Sequence, residues 1–329
     1  MRRLGIRAVA ILCNTRIPIA LQHFSLATAR WRCCTGKIDV VVSAVRNVLI
    51  TGTPRSGTTL ICSLLNKLPD TVALHEPMNV WDFADCRDGD AVADLIENFC
   101  AAIRKSLHEH GFAISKHVRG KIPDNVADDQ VNRAGTRLRH TEHGRVDVDK
   151  PLSQNFTLAV KHPAAFSALL ETLSKRFECY AIIRNPLATL ASWNSLDRFP
   201  LKDGRLPIGE KLDVALASDL ATKSDPIERQ IHILGWFYDR FRRFLPERAL
   251  IKYEDLIVSR GRELAKFFPA AAELDENLSS KNVNKYYDRA LMSALGERLL
   301  RREGALWNFY NKRDVESLLR DVSSSPISS

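Results

Sequence analysis

The stretch that most constrains this chain is "NVLITGTPRSGTTLICSLLNKL", Asn47 to Leu68. Its apolar opening, Asn47 to Ile50, reads as a buried strand, and "LICSLLNKL" reads as a helix. Between them, "TGTPRSGTT" sets Gly52 and Gly57 five apart, the spacing of loops that cradle phosphates. A strand that turns through glycines into a helix start gathers backbone N–H groups at one point, and the helix dipole adds partial positive charge there. Gly57 permits a positive φ or a close backbone approach. Thr53, Pro54, Arg55, Ser56, Gly57, Thr58 and Thr59 are therefore the candidate anion cradle, with hydroxyls on Thr58 and Thr59. Where a triphosphate-binding loop of the G-x-x-x-x-G-K-[ST] type carries lysine, this chain has Thr58, and the loop's cation is Arg55. The candidate strands end in Thr51, His75, Lys161, Arg184 and Tyr253, none an aspartate for magnesium. Both features point away from a triphosphate ligand and from a bound metal.

Further apolar, β-branched runs predict strands at 72–75, 157–161, 179–184 and 249–253. Helical patterns are expected over Thr58 to Leu68, Ala91 to His108, Ala164 to Phe177, Pro186 to Leu196, Ile227 to Phe244 and Gly261 to Phe268. Apolar strands alternating with helices predict an α/β fold of three layers, P-loop-like, with a central parallel β-sheet flanked by helices. Residues 47–320 are expected to form one domain, with polar, irregular inserts near 109–156 and 197–226. Residues 1–46 read as an N-terminal extension and 321–329 as a tail. The first 38 residues lack Asp and Glu but carry several arginines, which fits either organelle targeting or a plain extension. They are too polar for a membrane span, and a cytoplasmic location is the simpler expectation. Seven irregularly spaced cysteines suggest reduced thiols. The net charge of +9 favours anionic ligands, but no aromatic-rich basic motif suggests nucleic acid.

A second anchor follows in "YAIIRNPLATLASWNS". The strand ends at Arg184, Asn185 is a good N-cap, and Pro186 suits a first helical turn. Ser192, eight residues after Arg184, is expected about two turns into that helix, so the pair can grip one phosphate.

"TGTPRSGTT", "RNPLATLAS" and "YEDL" (Tyr253 to Leu256), in this order, resemble the sulfotransferases that use 3′-phosphoadenosine 5′-phosphosulfate. The resemblance covers residues 47 to about 310, with the inserts unmatched. It implies that the first motif holds the 5′-phosphosulfate and that Arg184 and Ser192 hold the 3′-phosphate. It also implies adenosine 3′,5′-bisphosphate as product, no metal, and a hydroxyl-bearing acceptor: carbohydrate, peptide tyrosine or small molecule. "PRSGTT" is most similar to the tyrosylprotein sulfotransferases and bacterial relatives, and the likeness implies that Arg55 stabilises charge on the leaving phosphate and sulfuryl oxygens. The same likeness makes Glu76, 21 positions after Arg55, the candidate general base, and sends Lys161 to the sulfuryl group. His162 is the rival base, similar to the histidine of cytosolic members but one residue out of their spacing. Glu76 is preferred. Arg301 and Arg302, in "RREG", are loosely similar to a C-terminal segment that touches the 3′-phosphate. A small-metabolite kinase and a non-catalytic nucleotide-binding protein remain the alternatives. Lys116, Arg119, Lys121, Arg137 and Arg139 in the first insert are candidate contacts for an acidic acceptor or simply a solvated face.

Overall fold

The computed structural model describes residues 45–324. The N-terminal extension and its targeting reading, apart from Val45 and Arg46, lie outside them, as do the last five residues. The strands are β1 Arg46–Gly52, β2 Thr71–His75, β3 Phe112–His117, β4 Ala127–Val131, β5 Arg137–Arg139, β6 Glu142–Asp147, β7 Thr157–Lys161, β8 Glu178–Ile183 and β9 Leu250–Lys252. The α-helices are α1 Thr58–Leu65, α2 Gly89–His110, α3 Pro163–Ala168, α4 Leu170–Arg176, α5 Pro186–Asn194, α6 Pro207–Leu212, α7 Val214–Ala221, α8 Pro226–Phe244, α9 Tyr253–Val258, α10 Arg289–Leu300 and α11 Lys312–Ser324.

The five apolar runs form one parallel sheet in the order β2-β7-β1-β8-β9. Side chains alternate across it. Val48 and Ile50 join Ile61 and Leu65 of α1 on one face, while Leu49 joins Ile96 of α2, Leu173 of α4 and Phe237 of α8 on the other. With helices on both faces, the sheet is the middle layer of a three-layer α/β fold. Burying both faces explains why these strands read as continuous apolar runs. Each fully buried Leu or Phe adds about 1.5–3 kcal/mol to that packing.

Several elements depart from the sequence reading. The helix expected over Ala164 to Phe177 breaks at Leu169, and Arg240 of α8 donates to the carbonyls of Ser167 and Ala168 at the break. The run from Gly261 is a 3₁₀ turn over Arg262–Lys266. The tail's first residues, 321–324, belong to α11. The 109–156 insert is not irregular: β3 pairs with β6 and β4 with β5, both antiparallel. Its inward positions include Ser115 and His117, so no apolar alternation announces β3. Ser115 Oγ accepts from His75 N at 2.9 Å and donates to His75 O at 3.1 Å, which covers the exposed edge of β2. The 197–226 insert holds α6 and α7 and a 3₁₀ turn at Pro200–Asp203.

At Gly52, φ is +141°, and a Cβ would stand 2.4 Å from Ile182 O. At Gly111, which ends α2 at φ +69°, a Cβ would meet nothing within 4 Å. Gly52→Ala should therefore cost well over the roughly 1–2 kcal/mol of a left-handed alanine, with about 1–3 kcal/mol of overpacking added. Gly111→Ala should cost only the former. Urea unfolding of both variants tests this; equal midpoints would show that the loop yields without resistance.

Candidate functional site

One cleft of about 810 Å³ opens where β1, β2, β7 and β8 end, the edge at which open parallel sheets bind ligands. The 53–57 loop forms its floor. Thr53 N donates to Ile182 O at 3.2 Å, and Ser56 Oγ reaches the same carbonyl at 2.8 Å, so the loop is bent over the end of β8. Gly57 has φ +99°, and its missing Cβ makes room for the ring of Tyr253. No side chain caps α1, so the N–H groups of its first turn have no partner within the helix. Thr58 and Thr59 line the cleft there.

Arg55 has a left-handed backbone, φ +72°. Its guanidinium donates to Ser192 Oγ at 3.3 Å and to Asn125 Oδ1 at 2.9 Å, while Arg184 Nη1 donates to its carbonyl at 3.0 Å. Arg184 also donates to Asn282 Oδ1 at 2.8 Å and Lys281 O at 2.5 Å, and its guanidinium covers the Tyr253 ring. Burial, and then the neighbouring guanidiniums of Arg137, Arg184 and Arg139, push the pKa of Arg55 down to about 10 despite the opposing effect of Tyr287. Among the described residues neither Arg55 nor Arg184 has a carboxylate ion pair; their acceptors are carbonyls, amides and hydroxyls. Tyr287 is hydrogen-bonded to Ser192 and lies within 3.4 Å of Arg184 Nη2. Burial pushes this phenol up, but Arg184, Ser192, Arg55 and Arg137 outweigh burial and leave it below the usual tyrosine value. Glu254 of "YEDL" holds the frame: it accepts from Asn185 N at 3.0 Å, Asn282 Nδ2 at 2.8 Å and the Tyr310 hydroxyl at 2.7 Å.

Glu76 follows β2 with φ +47°. Its carboxylate accepts from Lys161 at 2.8 Å and Lys116 at 2.5 Å, and His75 Nε2 faces it at 3.5 Å. Burial works to raise its pKa, but Lys161, His75 and Lys116 together hold it well below the usual carboxylate range. Lys161 is 3% exposed and Glu76 27%. His162 Nε2 accepts from Met78 N at 3.1 Å, and burial lowers the pKa of this imidazole to about 3. With that lone pair occupied, the other ring nitrogen carries the proton, so the ring has no free basic nitrogen.

The cleft thus brings together Pro54, Arg55, Gly57, Thr58, Thr59, Glu76, Lys161, His162, Arg184 and Ser192. Thr53 and Ser56 are fully buried and do not line it, and the Ser56 hydroxyl is engaged by Ile182. Arg301 and Arg302 also fall outside. Arg302 pairs with Glu228 and Arg298 with Asp225, which ties the end of α10 to the start of α8 instead. Trp307 packs against the core. Of the insert cations, Lys116, Arg137 and Arg139 line the cleft, whereas Arg119 and Lys121 are exposed beside a tight turn. Asn125 was not anticipated, nor were Lys281, Asn282 and Tyr287, whose stretch "SSKNVNKYY" offers no periodicity or glycine punctuation to mark a ligand loop. Among the described residues no group of three or more His, Cys, Asp or Glu forms a metal site, and no helix is long and apolar enough to cross a membrane.

The Glu76 pKa is depressed, so its ionisation contributes stability that is complete above the unfolded-state value and is lost as pH falls through the folded value. Glu76→Gln leaves Lys161 buried without its counter-charge. It should lower stability near pH 7 by about 1–3 kcal/mol, less than a fully buried pair because Glu76 and Lys116 are partly exposed. Urea midpoints should show the gap to wild type narrowing below about pH 4.5, the ordinary carboxylate range. A gap that stays constant from pH 7 to pH 3 would mean that the carboxylate charge is not what Lys161 requires.

No protein-family model matches the chain, and no curated protein matches its sequence. Solved structures similar to it include the sulfotransferase domain of the Synechococcus PCC 7002 olefin synthase, at 13% identity, 86% coverage of this chain, 96% of that chain and TM-score 0.33. A sulfotransferase from Mycobacterium tuberculosis H37Rv is 14% identical over 78% of this chain and 77% of its own, with TM-score 0.32. One from Mycobacterium avium is 15% identical over 85% and 75%, with TM-score 0.32.

Proposed function

We propose that the protein transfers a sulfuryl group from 3′-phosphoadenosine 5′-phosphosulfate to an acceptor hydroxyl by in-line displacement. The observation that carries this reading is the joining of two unlike devices in one cleft: an arginine-lined anion cradle, and a carboxylate held between lysines at its edge. The first turn of α1, with Thr58 and Thr59, would take the 5′-phosphosulfate, and Arg184 with Ser192 the 3′-phosphate. Arg55 uses Nε on Ser192 and one Nη2 hydrogen on Asn125, which leaves its remaining N–H groups to fork onto the bridging and terminal oxygens. Fixed cations in a partly desolvated site then stabilise the charge that builds on the leaving phosphate.

Glu76 would take the acceptor proton. In its present setting it is a weak base, because two ammonium groups stabilise its charge. An anionic sulfuryl group entering the cleft competes for Lys161. As that lysine turns to the donor, Glu76 loses a counter-charge and its pKa rises toward the range useful for proton transfer. His162 has no comparable route, since its acceptor nitrogen is bonded to the Met78 amide.

Two measurements test this. In calorimetry with EDTA present, adenosine 3′,5′-bisphosphate should bind at least about tenfold more tightly than adenosine 5′-phosphate, the gain of one charge-assisted contact. Equal affinities, or strict dependence on magnesium, would overturn the donor assignment. In single-turnover transfer with an acceptor found by a labelled-sulfate screen, Glu76→Gln should slow the reaction about 10²–10⁴-fold. Donor affinity should change little, and His162→Asn should do less. The reverse ranking would move the base to His162.

A further inference from the structure

Arg137 belongs to the insert, yet its side chain is only 4% exposed and lines the cleft. Its backbone is fastened to the end of α5: Arg137 N donates to Ser195 O at 2.9 Å, and Asp197 N donates to Arg137 O at 3.0 Å. Its Nη2 donates to Ser195 Oγ at 2.7 Å, and Ser195 Oγ donates to Ser192 O at 3.0 Å. The guanidinium therefore lies about one helical turn along α5 from Ser192. It also stands 5.5 Å from the centre of the Tyr286 ring, beside Tyr287, the partner of Ser192.

From this placement we infer that Arg137 is a second guanidinium of the 3′-phosphate subsite, beside Arg184, so that the insert completes the donor pocket. The inference rests on the donor reading above. Three arguments support it. A phosphate monoester carries about −1.5 to −2 charges at neutral pH, more than one arginine balances. Arg184 has limited hydrogen-bonding capacity left for it, because Nη1 serves Arg55 O, Nη2 serves Lys281 O and Nε serves Asn282. Finally, Arg137 and Arg184 both act on Tyr287, the hydroxyl bonded to Ser192, so the two guanidiniums flank the same anchor, and a dianion there would relieve their repulsion. Arg301 and Arg302 are held elsewhere by α8 and the α10 end, so they do not supply this cation.

The test is calorimetry of adenosine 3′,5′-bisphosphate and adenosine 5′-phosphate at one fixed ionic strength. Arg137→Ala should weaken the bisphosphate about 10–100-fold, as expected for a charge-assisted contact, and leave the 5′-phosphate within about twofold. Arg137→Lys should recover part of the loss, since it keeps the charge but not the fork. Ser195→Ala removes the side-chain link from Arg137 to α5 while keeping the cation and its backbone ties, and should leave both affinities within about twofold. The proposal is overturned if Arg137→Ala leaves the bisphosphate unchanged, if it weakens both nucleotides alike, or if Ser195→Ala reproduces it. Should Arg137→Ala fail to fold, a selective loss in Arg137→Lys supports the proposal and an unaltered affinity overturns it. Equal binding of the two nucleotides by the wild-type protein would instead overturn the donor reading itself.

Discussion

The strand-end groups of the cleft are positioned from β1, because β1 is hydrogen-bonded on both sides. Its register sets Ile50 opposite Lys161 of β7, and Gly52 opposite Ile182 of β8. Lys161 and Arg184 consequently emerge on either side of the loop that β1 feeds. The β2–β7 register sets His75 beside Lys161, which brings the next residue, Glu76, onto the same lysine. Gly52 is the pivot: only a residue without Cβ lets the loop fold down onto Ile182 O. A shift of one residue at either border of β1 would send these side chains to the opposite face of the sheet.

Charge is distributed unequally along the resulting cleft. At its β8 side, Arg55 and Arg184 donate to carbonyls, two side-chain amides and hydroxyls, which orient them and leave their charge uncompensated. At its β2 side, one carboxylate is shared by two lysines. The first arrangement suits a bound anion. The second neutralises the carboxylate proposed as the base until something else attracts a lysine. Both occur where water is partly excluded, so the same charges interact more strongly than they would on an open surface.

The sheet was legible because its strands are buried on both faces and so carry unbroken apolar runs; the loop was legible because Gly52 and Gly57 meet a steric need. Arg184, Asn185 and Pro186 announced themselves by helix-start chemistry, and Asn185 does accept from Leu187 N and Ala188 N. The break between α3 and α4 was hidden, since the carbonyls that it frees are satisfied by Arg240, more than seventy residues away in sequence. The insert strands were hidden because Ser115 and His117, not apolar residues, face inward. Tyr287 and Lys281 reach the cleft through pairings with Ser192 and Arg184 that no local spacing encodes. Residues 301 and 302 illustrate the converse: a motif-like run of charge can be claimed by nearby acids, here Glu228 and Glu297.

Arg55 and Glu76 both adopt the left-handed backbone that non-glycine residues avoid, at roughly 1–2 kcal/mol each. Asp70, Arg119, Arg198 and Arg260 do so as well, so the conformation alone marks no site. What distinguishes these two is that both line the cleft, and each is held there by its surroundings. Arg55 is held through its carbonyl by Arg184 and through its side chain by Ser192 and Asn125. Glu76 is held through its amide by Lys161 O and through its carboxylate by two lysines. Strain maintained by several independent contacts is what a pre-organised site requires. The bonds to the Arg55 carbonyl and the Glu76 amide hold the backbone, while a side-chain contact such as that of Lys161 with Glu76 is one an entering anion would exchange, so the loop can stay rigid as side chains change partners.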